Sequence, residues 1–164
     1  MPQLVPLSKE MKIEMADINL TQEEADKLIA MEKRAVDEKE WPDFPPPGDR
    51  VAIPLSSLDK RESFTLDVIR AQIQLTKATY QNRARAAIIL MRLDLDGPPH
   101  RNPDGAEIPC PHLHRYREGY GDKWATPAPL PTYTNTLDLF STFQTFMQQC
   151  NIIGPRNIQK GLFS

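Results

Sequence analysis

The sequence predicts an α+β fold of two layers: an N-terminal helix, an antiparallel sheet of about four to five strands, and a long C-terminal helix packed on the sheet. Three observations predict it. Apolar residues recur at helical spacing over 22–39 and again over 135–152. Between them, over 50–118, they follow the two-residue alternation of strands, and proline clusters punctuate the blocks. A helix, a run of strands and a second helix make one domain over 21–164, with 1–20 as a lead-in segment expected to be poorly ordered.

Each element has its own signal. Thr21-Gln-Glu-Glu24 is a capping box, in which the Thr hydroxyl takes an amide of the first turn and Glu24 reaches back. Ala25, Leu28, Ile29, Ala35 and Val36 then line one face of an acidic helix expected over 22–39. It stops before Trp41-Pro42, and 42–48, with Pro45-Pro-Pro-Gly48, reads as a stiff connector. Residues 51–55 suit a short strand, at an edge because of Pro54. Phe64, Leu66 and Val68 alternate, then the phase flips to Ile69, Ala71, Ile73 and Leu75, which predicts a hairpin near Arg70-Ala71. The segment 80–85 would place Arg83 and Arg85 on one strand face. Residues 86–93 are apolar on both faces, as in a central strand. Asp96-Gly-Pro-Pro99 and Asn102-Pro-Asp-Gly105 are turns, 111–117 is the next strand, Gly119-Tyr-Gly121 ends it, and 127–131 is a proline-rich loop. Asn135 and Asp138 can cap the last helix, with Leu139, Phe143, Phe146 or Met147, and Cys150 on its core stripe, and Gly154-Pro155 stops it.

Composition narrows the function classes. The 164 residues carry a net charge of −2. Residues 1–62 hold nine Lys and Arg against fourteen Asp and Glu, and residues 63–164 eleven against eight, so a mildly basic body follows an acidic leader. No secretory signal and no membrane-length apolar run is present, so the expectation is a cytoplasmic protein with Cys110 and Cys150 reduced, Cys150 as a core residue. There is no Gly-rich phosphate loop, no Gly-x-Ser-x-Gly elbow and no His-Glu-x-x-His.

Residues 92–125 hold all three histidines, His100, His112 and His114. On a strand His112, His114 and Tyr116 share a face. Histidine titrates near neutrality, so such a pair can supply the acid and base of RNA cleavage, with Tyr116 as an accessory donor. Arg83, Arg85, Arg115 and Lys123 are candidate phosphate clamps, His100 a further site residue beside its turn, and Trp124 a stacking surface. The structural alternative is a pair of histidines hydrogen-bonded to loop carbonyls. A third option is metal, with His100, Asp104, Glu118, Asp122 or Cys110 completing a site. The spacing matches no standard ligand pattern, and Asp94-Leu-Asp96-Gly97 reads as a turn, so neither metal nor cofactor is expected.

His100-x-Asn102-Pro-Asp-Gly105, Pro111-His-Leu-His-x-Tyr-x-Glu-Gly119 and Asp122-Lys-Trp-Ala125 together resemble a family of small bacterial and phage proteins without assigned chemistry. In architecture the chain is also similar to the RelE/barnase-like ribonuclease toxins. The resulting expectation is a metal-independent endoribonuclease of a mobile element or defence locus, acting on RNA. The alternative is a non-catalytic phage protein that inhibits a host enzyme or defence complex. Its partner, an antitoxin or host protein, would be met through the acidic helix or Trp41-Pro-Asp-Phe44.

Overall fold

The computed structural model describes residues 3, 5, 6, 19–129 and 132–155. The rest of the lead-in, residues 130 and 131 of the proline-rich loop, and the last nine residues lie outside the described residues. In chain order the elements are α1 (Gln22–Ala30), β1 (Lys33–Ala35), a 3-10 turn (Glu38–Glu40), β2 (Arg50–Ser57), β3 (Ser63–Arg70), β4 (Ala78–Ala84) and β5 (Ile88–Leu95). They continue with β6 (His100–Arg101), β7 (Glu107–Ile108), β8 (His112–Arg115), β9 (Ala125–Pro127), α2 (Leu139–Gln149) and β10 (Ile152–Ile153). Eight strands form one sheet in the order β10-β1-β2-β3-β4-β5-β8-β9, and β6 pairs with β7 as a separate hairpin. Only the β1–β10 pairing in the large sheet is parallel. The α+β class is as the sequence predicts, but the sheet is nearly twice as wide. No helix of the described residues is long and apolar enough to cross a membrane.

The first helix starts on the expected capping box, with Glu24 N–H on Thr21 Oγ1 and Thr21 N–H on Glu24 Oε2. It stops at Ala30 rather than running to 39. Lys33 explains the early stop. Its side chain is fully buried, and the ammonium donates to the carbonyls of Ile29 (2.9 Å), Met31 (2.9 Å) and Cys150 (2.7 Å). The ends of both helices therefore share one cation, which suits the negative pole of a helix dipole. Asn151 adds a bond from Nδ2 to Ala30 O at 2.8 Å. Holding Lys33 there requires an extended backbone over 33–35, which becomes β1 and joins β2 to β10.

Other departures are equally local. Pro54 sits in an interior strand, but β1 has ended beside it. Its carbonyl takes the Val36 amide at 3.0 Å, so the missing N–H faces the side where pairing runs out. The hairpin expected near Arg70-Ala71 forms, with β3 ending at Arg70 opposite Ala78 of antiparallel β4, but its loop spans 71–77 and is not tight, and the phase flip at 68–69 lies inside β3. Strand β3 continues to Arg70 with both faces covered, because Asp67 is buried against Arg83 at 2.6 Å. Ile73 and Leu75 then lie exposed in the loop before β4. Arg85 and Ala86 take positive φ (50° and 64°) in the β4–β5 turn, so Arg85 leaves the strand face that Arg83 occupies. The last helix is shorter than expected and begins at Leu139, with Asp138 Oδ1 taking the Ser141 amide.

The core lies on one face of the sheet. Tyr80 packs edge-on against Phe143 (5.4 Å between centroids) and reaches Leu139 O at 2.6 Å through its hydroxyl. Phe44 closes the cluster against Phe140 and Phe143. In register, Tyr80 faces Leu93. By alternation Thr79, Arg92 and Asp94 project from the opposite face, away from α2.

Replacing Lys33 by Met strands three carbonyls, and urea unfolding at pH 7 is expected to show a loss of about 2–4 kcal/mol. Burial pulls the Lys33 amine down to about 8 from its usual 10.5. Between those values the unfolded chain holds a proton that the folded protein has released. The stability gap between wild type and Lys33→Met should therefore widen as pH rises through that window, by up to about 3 kcal/mol.

Candidate functional site

On the face opposite α2, antiparallel register sets Arg92 across from His114 and Asp94 across from His112. The two imidazoles and the carboxylate converge on one point. Nε2 of His112 and Nε2 of His114 each lie 3.2 Å from Asp94 Oδ2. Both rings are buried, His112 being 3% and His114 0% exposed.

The other ring nitrogens meet main-chain carbonyls. Nδ1 of His114 is 2.7 Å from Asp122 O, and Nδ1 of His112 is 3.1 Å from Ile108 O. A carbonyl can only accept, so Nδ1 of His114 carries hydrogen and its Nε2 is the atom that meets Arg92, whereas His112 stands between two acceptors, the Ile108 carbonyl and the Asp94 carboxylate, and a neutral ring can donate to only one of them. Arg92, a donor only, agrees with the His114 tautomer: its Nη2 is 3.0 Å from His114 Nε2, its Nε 3.1 Å from Asp94 Oδ2 and its Nη1 2.7 Å from Asp122 Oδ2. Thr79 Oγ1 donates to Asp94 Oδ1 at 2.8 Å.

Burial pushes the Asp94 carboxyl up. The neighbouring His114 ring, the charge of Arg92 and the Thr79 hydroxyl together overcome that and hold it well below the usual carboxylate range. For His112 burial wins, pulling the ring below its ordinary 6.5 against the opposing pull of Asp94. Two imidazole Nε2 atoms and an anionic oxygen thus gather at one point, with Arg92 the cation in contact. This is the arrangement of carbonyl–histidine pairs around a metal. Two ligands about 2.1 Å from one ion stand roughly 3.0 Å apart at a right angle and 3.4 Å at the tetrahedral angle. The observed 3.2 Å spacings fall between. Asp94, His112 and His114 are the group of the described residues whose ligand atoms gather within 4.8 Å.

Two loops cover the cluster. The β6–β7 hairpin brings His100 over the pair, 4.5 Å from His114 and 5.9 Å from His112 between ring centroids. Its Nε2 meets Lys123 O at 2.7 Å. The turn 102–105 forms as the sequence predicts, with Gly105 at φ +89° and its amide on Asn102 O. The Asn102 side chain mimics a strand neighbour of Ala125, donating to its carbonyl (3.0 Å) and accepting from its amide (2.8 Å). Beside the hairpin a cavity of about 270 Å³ reaches Asp94, His112, His100, Cys110, Lys77 and Asp96. It holds one Lys against two Asp, so the positively lined hollow that a phosphate clamp needs is not built there.

Of the residues singled out in the sequence, the structure gathers His100, His112 and His114, with Asp122 on Arg92 and Cys110 Sγ 3.5 Å from His112 Nδ1, and the other candidate side chains lie elsewhere. Tyr116 turns its hydroxyl to Leu20, donating to the carbonyl (2.9 Å) and accepting from the amide (2.8 Å), and so anchors the entry to α1. Arg83 pairs with Asp67 and Arg85 with Glu62, at the far end of β4 from Thr79. Arg115 alternates to the helix side and meets Asp26 of α1 at 3.2 Å. Lys123 contributes its main-chain carbonyl, and its side chain is exposed. Trp124 lies under Arg117 (4.4 Å) and edge-on to Tyr120, so its ring is already stacked. Sequence reasoning missed Arg92, Asp94 and Thr79, and offered Asp122 only as one optional metal ligand, whereas its carboxylate holds Arg92 and its carbonyl His114. The available signal was Arg92-x-Asp94, two charges on one face of a strand otherwise apolar throughout.

Fold and site define a mixed α+β protein with a buried His/Asp cluster on the sheet face opposite its C-terminal helix, roofed by a hairpin. The chain belongs to a family of unknown function (DUF6978), whose profile matches residues 20–152. No curated protein and no solved structure matches it.

The carboxylate of Asp94 should stabilise the fold above its usual titration range. In chelator-treated protein Asp94→Asn is expected to lose about 3 kcal/mol at pH 7, as for a buried pair deprived of one partner. Because the folded carboxyl is depressed, that advantage disappears as pH falls below about 4, so urea midpoints of the two proteins should converge in acid.

Proposed function

We propose that the protein binds one divalent transition-metal ion through Asp94 Oδ2, His112 Nε2 and His114 Nε2, and that this three-ligand centre is of the kind that leaves coordination positions open for chemistry. The observation that carries this reading is the convergence of two imidazole Nε2 atoms and a carboxylate oxygen, with both Nδ1 atoms fixed on main-chain carbonyls. Structural zinc sites are closed by four protein ligands, whereas catalytic ones use three and keep a position for water or substrate. Two imidazoles and one carboxylate suit zinc, iron or manganese.

A metal-independent role for the histidine pair requires a ring nitrogen facing substrate. All four nitrogens of His112 and His114 already have partners. An RNA-directed activity therefore enters this proposal in metal-assisted form, the ion polarising a phosphoryl oxygen and generating hydroxide from bound water. The competing reading is a metal-free ion cluster in which Arg92 is the cation, and its contacts to His114 and Asp94 favour that reading. For metal to enter, the guanidinium must release these two atoms and stay on Asp122.

Chelator-treated wild type titrated with zinc or cobalt(II) is expected to take up one equivalent. His112→Ala, His114→Ala and Asp94→Ala should each weaken binding at least a hundredfold, and Arg92→Met should tighten it by removing the competing cation. Uptake below a tenth of an equivalent by folded wild type, with no gain in Arg92→Met, would leave the ion-cluster reading in place. RNA cleavage that persists undiminished in chelator would restore the metal-independent mechanism.

A further inference from the structure

We infer that the open side of this centre takes an oxyanion, a phosphoryl or carboxylate oxygen, seated in the 270 Å³ cavity between the metal and the Lys77 ammonium. The inference rests on the metal reading and adds the chemical class of what the metal meets.

Accessibility comes first. His114 is wholly buried, its Nδ1 held by the 117–124 loop, so it offers no approach. Of the three ligands, Asp94 and His112 line the cavity, and any exogenous ligand must come from that side. The volume is below the range of roughly 300–1,000 Å³ typical of pockets that enclose drug-sized molecules, and it suits a single phosphoryl or carboxylate group with a few attached atoms.

Charge supplies the second argument. Without an ion the lining has formal charges of −1 at Asp94, −1 at Asp96 and +1 at Lys77, which together repel an anion. A divalent ion on neutral imidazoles reverses the balance and makes it attractive. Asp96 accepts from the hydroxyl of Thr76 and also feels the charge of Lys77, so an incoming anion must compete with it for the ammonium. Anion binding in this cavity is therefore conditional on the metal, which a simple basic patch would not be.

Lys77 is placed for the task. The loop before β4 fixes its main chain, Lys77 N–H on Gln74 O (3.0 Å) and Lys77 O accepting from Ala71 (3.1 Å). Its stem lies along Gly97: a Cβ there would stand 3.4 Å from Lys77 Cε and 3.7 Å from Nζ. Gly97, at φ +141°, keeps that wall bare, so the half-buried side chain extends along the cavity.

The test uses the full chain loaded with cobalt(II) and reads the visible cobalt bands during titration with dimethyl phosphate and, separately, with acetate. Saturable band shifts with either anion are expected, and the tighter of the two identifies a phosphodiester or a carboxylate source. Lys77→Met should weaken the anion at least tenfold while cobalt affinity stays unchanged, and Lys77→Arg should recover part of the loss. Metal-free wild type should bind neither anion by calorimetry. Cobalt uptake without any anion response overturns the inference and leaves the metal centre standing. So does an anion affinity indifferent to Lys77→Met, or anion binding by metal-free protein. Failure to take up cobalt removes both.

Discussion

Strand β5 is buried on both faces, and two charged side chains inside it have to be neutralised where they stand. Arg92 and Asp94 project from a strand whose other residues are apolar, and with their side chains only 24% and 22% exposed the chain must bring partners. Strand β8 does so in register, setting His114 beside Arg92 and His112 beside Asp94, and the 117–124 loop returns Asp122 to the guanidinium. Two charges alone could have satisfied each other. Two additional imidazoles, each with Nδ1 on a main-chain carbonyl and Nε2 beside Asp94, go beyond neutralisation, because the ion pair of Arg92 and Asp94 needs neither.

The covering loops follow from the same demand. A buried imidazole needs a carbonyl for its N–H, and sheet carbonyls are committed to neighbouring strands. Ile108, Asp122 and Lys123 offer theirs because they lie at strand ends or in loops, where main-chain groups are available. The turns at 96–99 and 102–105 and the glycines at 119 and 121 fold those loops back over the sheet. Asn102 then fastens the hairpin to Ala125. The density of turn residues around the three histidines is thus the cost of supplying main-chain acceptors to a polar cluster on a sheet face.

Legibility in the sequence tracked how local each cause was. The capping box at Thr21, the turn at 102–105, the central strand at 86–93 and the core role of Cys150 depend on neighbours within a few positions, and these were readable. The early end of α1 was not, because its reason is a bond from Lys33 to a carbonyl 117 residues away. The hairpin after Arg70 was readable, but the phase flip inside β3 was not a sign of it: alternation assumes one wet face, and Asp67 is instead buried by Arg83 from the next strand. At the site, histidine is rare enough to draw the eye, and all three were found. Asp94 and Arg92 looked like the polar end of a strand before a turn. Their role depends on the β5–β8 register, which no local pattern encodes. Arg83, Arg85 and Arg115 attracted attention as cations, yet each answers a carboxylate on an adjacent element.

The division of the sheet into two faces bears on how such a site is maintained. On one face Tyr80, Phe143, Phe146 and Phe44 supply the apolar burial that holds the domain together. On the other, Asp94, His112 and His114 sit where apolar residues of similar size would stabilise the protein more cheaply, since a buried polar network offsets its desolvation only when every member has a partner. Here Arg92 and Thr79 answer the Asp94 carboxylate, and His112, with Nδ1 on a carbonyl, directs its Nε2 at the same group. A fold selected only for stability would fill that position with a hydrophobe. Retaining an electron-rich pocket beneath a roof of turns, and beside a cavity that a small molecule can enter, is consistent with a site kept for a cation and for what the cation binds.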